Sequence, residues 1–398
     1  MSANPVAVPP ERPPAAPGGR GLAEPARSAR EERDRRMLSL DFDRAPFTIA
    51  WEVTRACAYN CLHCRADAQP RRDPRELSTI EGLALIEQLA GFGTRPILVL
   101  TGGDPLMRRD LFRLAAHASR CGLRVALTPT ATALVTGARM REARAAGIRR
   151  VAFSVDGPTA QVHDRFRGFA GSFLRTMEGI AAARAEGLAL QVNTTVCALN
   201  VDVIAELVPL LEAWEVVQWS VFFLVPTGRG AILPMLSAAE HERVLEWLYE
   251  LSRVAPFDIK TTAAPQYRRI AIERSGRSNG GASGGAGYLF GDGLHRPPKG
   301  VTDGRGFMFI SHRGEVMPSG FLQLSAGNVR ERDPVDIYRR SALFCALRNP
   351  DALRGKCGRC ELRELCGGSR ARAWALTGDP LASDPSCSYV PAALRAQS

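Results

Sequence analysis

Arg55-Ala-Cys57-Ala-Tyr-Asn-Cys61-Leu-His63-Cys64-Arg-Ala-Asp67 carries three cysteines spaced C-x3-C-x2-C. It directly follows a strand-like run, Phe47-Thr-Ile-Ala-Trp-Glu-Val-Thr54. A loop this short can gather three thiolates around one small inorganic core. A cubane [4Fe–4S] cluster wants four ligands, so three thiolates leave one iron open. Taken alone, the triplet also fits a structural role, or zinc with His63 as fourth ligand.

Outward from this loop the chain alternates strand, loop and helix. Pro96–Thr101, Arg124–Thr128, Arg150–Val155, Leu188–Val196 and Val216–Leu224 are short apolar runs, as expected of strands covered on both faces. Ser78-Thr-Ile-Glu81 is a capping box, and further helices are expected near 111–121, 137–146, 172–186, 201–213 and 236–255, with Ser172 as an N-cap. Six such βα units predict an α/β fold with a parallel sheet, either a partial (β/α)6 TIM-like barrel or an open doubly wound sheet. Residues 45–255 are read as this core. Residues 1–40, with seven prolines and alternating Arg and Glu or Asp, read as a disordered tail. Residues 256–305 read as a linker or mobile loop, and 306–398 as a small C-terminal domain opening with a hairpin that turns at His312–Gly314. One helix is expected over 334–348.

Composition narrows the function. The 398 residues carry a net charge of +11, yet of the 52 basic residues only Lys260, Lys299 and Lys356 are lysine. The arginines are scattered, with no basic stripe interleaved with aromatics, which speaks against nucleic acid. No apolar run approaches the roughly 20 residues a membrane span needs, and no secretion signal is apparent; a cytoplasmic protein with reduced thiols is expected. Seven of ten cysteines sit in two tight clusters, which suits metal or cluster ligation. Cys121, Cys197 and Cys345 stand alone and read as buried small hydrophobes.

Polar motifs fall at the expected strand ends. Thr101-Gly102-Gly103-Asp104-Pro105 lets backbone approach a ligand closely, or is a plain β-to-α turn. Ser154-Val-Asp-Gly157 offers hydrogen bonds to a ribose or carboxylate, or is a turn. His163-Asp-Arg-Phe-Arg167-Gly168 brings a guanidinium suited to a carboxylate. Asn193 is a polar residue in an apolar strand, facing a lumen or satisfied in the core. Phe222–Gly230 closes the sixth strand. Near the end, Cys357-x2-Cys360-x5-Cys366, then Cys387, would fill every iron of a cubane or hold zinc.

These motifs together resemble the radical S-adenosylmethionine (SAM) superfamily. Gly367-Gly-Ser-Arg-Ala-Arg-Ala-Trp374 and Thr377-Gly-Asp-Pro380 look like its C-terminal SPASM extension. The resemblance favours the partial barrel with a small SPASM/twitch-like iron–sulfur domain. It implies a [4Fe–4S] cluster on Cys57, Cys61 and Cys64, whose open iron is chelated by SAM and whose electron releases a 5′-deoxyadenosyl radical. It further implies SAM contacts from the backbone of Gly102, Gly103 and Asp104, from Ser154, Arg167 and Asn193, from Val225 at the adenine pocket and from the His63 backbone. Asp104 stands where relatives usually have Glu, and Thr128-Pro-Thr-Ala-Thr132 departs from the usual Thr-Asn-Gly, so nothing is carried over there. Ser319 and Ser369 replace cysteines common in relatives, so one auxiliary [4Fe–4S] cluster is expected, on Cys357, Cys360, Cys366 and Cys387. The C-terminal wording is most similar to radical SAM enzymes of heme d1 and alternative heme synthesis, and to the mycofactocin peptide maturase. The expected function is hydrogen abstraction from a tetrapyrrole side chain. A ribosomal peptide is the second expected substrate, and a non-catalytic zinc or iron–sulfur binding protein the reading of another class. Flavodoxin or ferredoxin is the implied electron donor. No acid, base or radical-relay residue is named by the motifs.

Overall fold

The computed structural model describes residues 41–274 and 300–395. Six strands, β1 (Thr48–Glu52), β2 (Ile97–Thr101), β3 (Arg124–Leu127), β4 (Arg150–Ser154), β5 (Ala189–Val196) and β6 (Gln218–Phe223), pair in chain order and all parallel. Between them run α1 (Thr79–Ala90), α2 (Leu111–Arg120), α3 (Gly137–Ala145), α4 (Ala160–Arg167), α5 (Ser172–Ala185) and α6 (Leu207–Ala213), and α7 (Ala238–Ser252) follows. A doubly wound sheet reverses its strand order so that helices cover both faces; this order never reverses, so right-handed crossovers place the helices on one face. That is the winding of a barrel. β5 records it residue by residue: Leu190, Val192, Thr194 and Val196 are buried, whereas Gln191, Asn193 and Thr195 on the inner face are only partly so.

Local chemistry starts and stops the helices. Ser78 Oγ accepts from Glu81 N and the Glu81 carboxylate accepts from Ser78 N, the reciprocal cap the sequence calls for. Gly171, at φ +81°, is the N-cap of α5; Ser172 is its first residue, and its hydroxyl donates to Asp164 instead of capping. The helix expected over 334–348 is two, α9 (Pro334–Arg340) and α10 (Ala342–Arg348), because Ser341 adopts extended backbone and caps the second by accepting from Phe344 N.

Two strands extend the sheet beyond the expected six. β7 (Asp258–Thr262) pairs parallel with β6 and leads into α8 (Tyr267–Arg274). Both lie inside the stretch read as a linker, whose Asp-Ile-Lys-Thr-Thr carries one large apolar side chain, Ile259, too little to signal a strand. The Gly- and Ser-rich remainder, 275–299, lies outside the described residues, as do 1–40. β8 (Phe307–Ile310) pairs parallel with β1, and β9 (Glu315–Met317) returns antiparallel to it, followed by β10 (Gly327–Asn328). The hairpin at His312–Gly314 therefore forms, but it continues the core sheet, so a domain boundary at 306 cuts through one hydrogen-bonded array. Among the described residues the order is β10-β9-β8-β1-β2-β3-β4-β5-β6-β7; β7 and β8 are not paired, and the barrel stays open. Short helices α11 (Gly355–Gly358), α12 (Arg370–Thr377) and α13 (Ala392–Arg395) complete the C-terminal segment.

Of the lone cysteines only Cys197 is buried. Cys121 is partly exposed and Cys345 exposed on α10, its thiol against the Arg339 carbonyl. No helix among the described residues is long and apolar enough to cross a membrane.

Candidate metal-cluster site

The cysteine loop lies at the C-terminal end of β1, the end at which open α/β sheets place ligands. It has almost no secondary structure, so its backbone N–H and C=O groups need partners from elsewhere. Three other segments supply them. After β2, Gly103 N donates to Thr54 O at 2.8 Å and Asp104 N to Ala56 O at 2.7 Å. A Cβ on Gly102 would sit 2.3 Å from Thr54 O, and one on Gly103 2.4 Å from Ala56 O. The close approach these glycines permit is thus to the cysteine loop itself. At the end of α4, Leu62 N donates to Phe166 O, and Gly168, at φ +62°, passes over Asn60 O. After β6, Arg229 N donates to Cys64 O, its Nε to Cys61 O (3.0 Å), and its Nη1 to Ala68 O (3.1 Å) and Asp67 Oδ1 (3.0 Å). Tyr59 pins the loop's outer side: its hydroxyl donates to Ala131 O and its ring stacks on Phe169.

Cys57 and Cys61 are buried and Cys64 partly so. Burial pushes the Cys61 thiol up to about 11 and raises Cys57 as well. Tyr59 N donates to Cys57 Sγ and Ala68 N to Cys64 Sγ. Burial works against the Arg167 charge, but Cys61, Asp156, Cys57 and Cys64 outweigh it and hold the guanidinium cationic. Three soft donors, amide hydrogens on sulfur and one buried cation facing all three form a set that fits an anionic iron–sulfur core. His63, the fourth ligand a zinc site would need here, instead has its Nε2 3.8 Å from Asp156 Oδ2 and its ring against Phe166.

Asp156 organises the neighbouring polar residues. Its Oδ1 accepts from Thr195 N at 2.8 Å, its Oδ2 lies 3.4 Å from Arg167 Nη1 and 3.8 Å from His63 Nε2. Arg167, expected on a cosubstrate carboxylate, is already held between Asp156 and the thiols. Burial pushes His63 down to about 4, so its ring is neutral, and it packs on Phe166. Ser154 and Asn193 are register partners on β4 and β5, and Ser220 follows Asn193 on β6. Gln191 Nε2 donates to Asn193 Oδ1 at 2.8 Å, so the inner face carries a polar row as Asn193 suggested. Asp104 is fully buried; its oxygens accept from Leu106 N and Thr132 Oγ1, and burial pushes it up to about 6. Its carboxylate is committed to the fold. Val225, expected at an adenine pocket, is 2% exposed and packs with Leu322, Leu347 and Ala371 in the seam with the C-terminal segment; an apolar side chain there is better used against apolar neighbours.

The sequence did not disclose a second polar web beside the loop. Glu52, the last residue of β1, accepts from Arg65 Nη1 at 3.1 Å and meets His312 Nδ1 at 2.8 Å. His312 Nε2 lies 3.6 Å from Asp73, and the Arg65 guanidinium stacks over Phe309. Burial raises Glu52, but the His312 hydrogen bond and Arg65 outweigh it and hold the carboxyl below its ordinary value. A glutamate ending an apolar strand was the available signal; its partner is 260 residues away.

The four C-terminal cysteines line one cavity with Lys356, Gly367 and Gly368. Cys357 Sγ accepts from Asp384 N and from Arg370 Nη2 (3.6 Å), and Cys366 Sγ from Gly368 N. Burial pushes Cys366 up to about 12 and raises Cys360 and Cys387. Four thiols around one cavity beside the buried Arg370, three of them disfavoured from ionising by burial, fit a cationic centre that would hold them as thiolates. The buried Arg372–Asp384 pair (3.2 Å) ties this cavity to the Phe223 and Leu224 carbonyls at the end of β6. Ser319 and Ser369 serve the backbone: Ser319 Oγ accepts from Phe321 N and Leu322 N, and Ser369 caps α12.

Residues 51–212 match the family model of the radical SAM superfamily. The AdoMet-dependent heme synthase of Nitratidesulfovibrio vulgaris is 42% identical over 345 residues, 86% of this chain and 92% of that protein. The AdoMet-dependent heme synthase of Methanosarcina barkeri is 41% identical over 347 residues, 87% of this chain and 97% of that protein. Among solved structures, Streptococcus suis SuiB bound to the precursor peptide SuiA superposes with a TM-score of 0.67 at 17% identity, covering 93% of this chain and 82% of that one; at that identity the likeness is one of fold.

Proposed function

Because the chain belongs to the radical SAM superfamily, we propose that it acts on a heme-precursor tetrapyrrole, abstracting hydrogen from a side-chain carbon. The chain is an enzyme that uses a [4Fe–4S] cluster and S-adenosylmethionine. The observation that carries the substrate reading is the 41–42% identity to AdoMet-dependent heme synthases over 86–87% of the chain.

In this reading Cys57, Cys61 and Cys64 hold the SAM-binding cluster, and Cys357, Cys360, Cys366 and Cys387 hold one auxiliary [4Fe–4S] cluster. When bound, the first cluster with SAM supplies reductive cleavage to a 5′-deoxyadenosyl radical. The chain's own share is to position and shield. Arg229, Gly103 and Phe166 fix the loop; Arg167 offsets thiolate charge; Ser154, Asn193 and the Gly102–Gly103 backbone offer the cosubstrate hydrogen bonds at the strand ends. His63, held neutral, presents its backbone to the adenine. An external one-electron carrier of the flavodoxin or ferredoxin kind supplies the electron, and the setting is cytoplasmic.

The test is direct. Anaerobically reconstituted protein with SAM, dithionite and iron coproporphyrin III should yield 5′-deoxyadenosine together with a heme-type product by liquid chromatography. Deoxyadenosine without any change in the porphyrin would refute the tetrapyrrole reading and turn attention to a peptide.

A further inference from the structure

We infer that an arginine-lined groove beside the cysteine loop is the docking face of a small acidic one-electron carrier protein. The inference rests on the radical SAM reading, which needs an electron from outside the chain. The groove runs along residues 69–75 and is closed by Arg313. Four guanidiniums rim it, from Arg71, Arg72, Arg75 and Arg313. The carboxylates among them face inward: Asp73 is 6% and Glu76 7% exposed. Both are already engaged, Asp73 by Arg75 and Arg313, Glu76 by Arg72 and Thr54. The acidic halves are thus buried while the Arg72, Arg75 and Arg313 side chains remain 42, 65 and 37% exposed. Four cations against two anions leave a positive surface, and the ion pairs hold the rim in place, so docking orders little that is loose.

Its position matters as much as its charge. Gln69 O, in the groove wall, accepts from Cys57 N at 2.9 Å, and Gln69 N donates to Arg55 O. The preceding residue, Ala68, donates its amide to Cys64 Sγ at 3.5 Å. A redox group docked here is separated from two of the three cysteines by about one peptide and one hydrogen bond. One electron leaves the carrier, which is oxidised, and the [4Fe–4S] core that the loop holds is reduced by it. A nucleic acid fits less well, since none of the residues lining the groove is aromatic and single strands bind by stacking on aromatics.

The test compares reductants. Arg71 is exposed and outside the ion pairs named above, so Arg71→Glu leaves the loop's supports intact; Arg71→Glu/Arg75→Glu removes more charge. Anaerobic stopped-flow should show that reduction by flavodoxin hydroquinone slows roughly tenfold or more in these variants at low salt, a typical size for lost electrostatic steering. The wild-type rate should fall with added salt and the double variant's should not. Reduction of Arg71→Glu by dithionite, and its 5′-deoxyadenosine yield with dithionite, should stay within about twofold of wild type. Carrier-driven rates unchanged in both variants, or independent of salt in the wild type, would overturn the docking face alone. Retention of a single-stranded oligonucleotide by wild type and not by the double variant would overturn it in favour of a nucleic-acid surface. Wild-type protein that forms no 5′-deoxyadenosine with dithionite would instead sink the radical SAM reading beneath it.

Discussion

Gly103→Ala is the sharpest perturbation of the site. The added methyl would stand 2.4 Å from Ala56 O, 2.7 Å from Arg55 O and 2.8 Å from the Ala56 carbonyl carbon, all backbone atoms with no flexible end to swing aside. Ordinary contact begins near 3.4 Å, so the strand of the cysteine loop entering Cys57 must retreat by up to about 1 Å. Two hydrogen bonds lie across the same gap, Gly103 N to Thr54 O and Asp104 N to Ala56 O. Stretching both costs about 1 kcal/mol each, and overpacking adds roughly 1–3 kcal/mol, for a total of about 3–5 kcal/mol. Because the displaced backbone carries Cys57, the loss should appear first in the cluster. After anaerobic reconstitution the variant should bind less iron at the N-terminal site, show an altered electron paramagnetic resonance signal when reduced, and melt several degrees lower. Gly137→Ala is the internal control: a Cβ there meets nothing within 4 Å, and it opens α3, so the change should be neutral or stabilising by about 0.4–1 kcal/mol. If Gly103→Ala loads iron and melts like wild type while Gly137→Ala does the same, the contact between the two loops is not what holds the cysteines.

Three further outcomes are expected. Arg229→Ala strips bonds from Cys61 O, Ala68 O and Asp67, about 1–3 kcal/mol at a partly exposed site, and should speed iron loss to a chelator, with Arg229→Lys intermediate because its single ammonium cannot reach all three acceptors. Asp104, raised to about 6 by burial, binds its proton more tightly folded than unfolded. It therefore stabilises the fold fully below about pH 4 and loses that contribution as pH rises through about 6. The stability gain of Asp104→Asn over wild type should grow across that window in denaturant titrations; a gain independent of pH would show that the carboxyl is not buried as a charge. Cys366→Ala should lower bound iron from about eight toward four per chain, with the adenosyl-forming cluster retained; unchanged iron, or zinc in its place, would remove the auxiliary cluster.

Strands β1 to β6 were legible because each is a short apolar run closed by a Gly or polar turn, and such runs have few other uses. β7 was not, because Asp258, Lys260 and Thr262 alternate with Ile259 and Thr261 and only Ile259 is buried, so the strand reads as polar linker. β8 was seen as a strand but given to a separate domain, since nothing in a sequence says that residue 307 will pair with residue 48. The same distinction runs through the site. The cysteines are short-range and spacing alone groups them. Arg229 acts on carbonyls 161 to 168 residues away, and backbone acceptors leave no mark on composition. Arg167 was expected on a cosubstrate carboxylate; that it is buried beside Asp156 and the thiols depends on groups that meet it only in three dimensions.

The glycines of three motifs far apart in the chain turn out to meet one physical requirement. A loop that presents three sulfurs cannot also be a helix or strand, so its carbonyls must be approached by foreign backbone. Where backbone crosses backbone that closely a Cβ has no room. Gly102 and Gly103 cross at Thr54 and Ala56, Gly168 at Asn60, and Gly228 at Cys64, with hypothetical Cβ distances of 2.3, 2.4, 2.4 and 2.5 Å. These contacts march along the loop at intervals of two to four residues and come from three strand ends or helix ends of the same barrel mouth. The sulfurs are therefore positioned by the rigid sheet through its connections, not by the loop's own stiffness. A cluster-binding triplet transplanted without those crossings would keep its spacing and lose its geometry, which is why the glycines after β2, α4 and β6 belong to the metal site as much as the cysteines do.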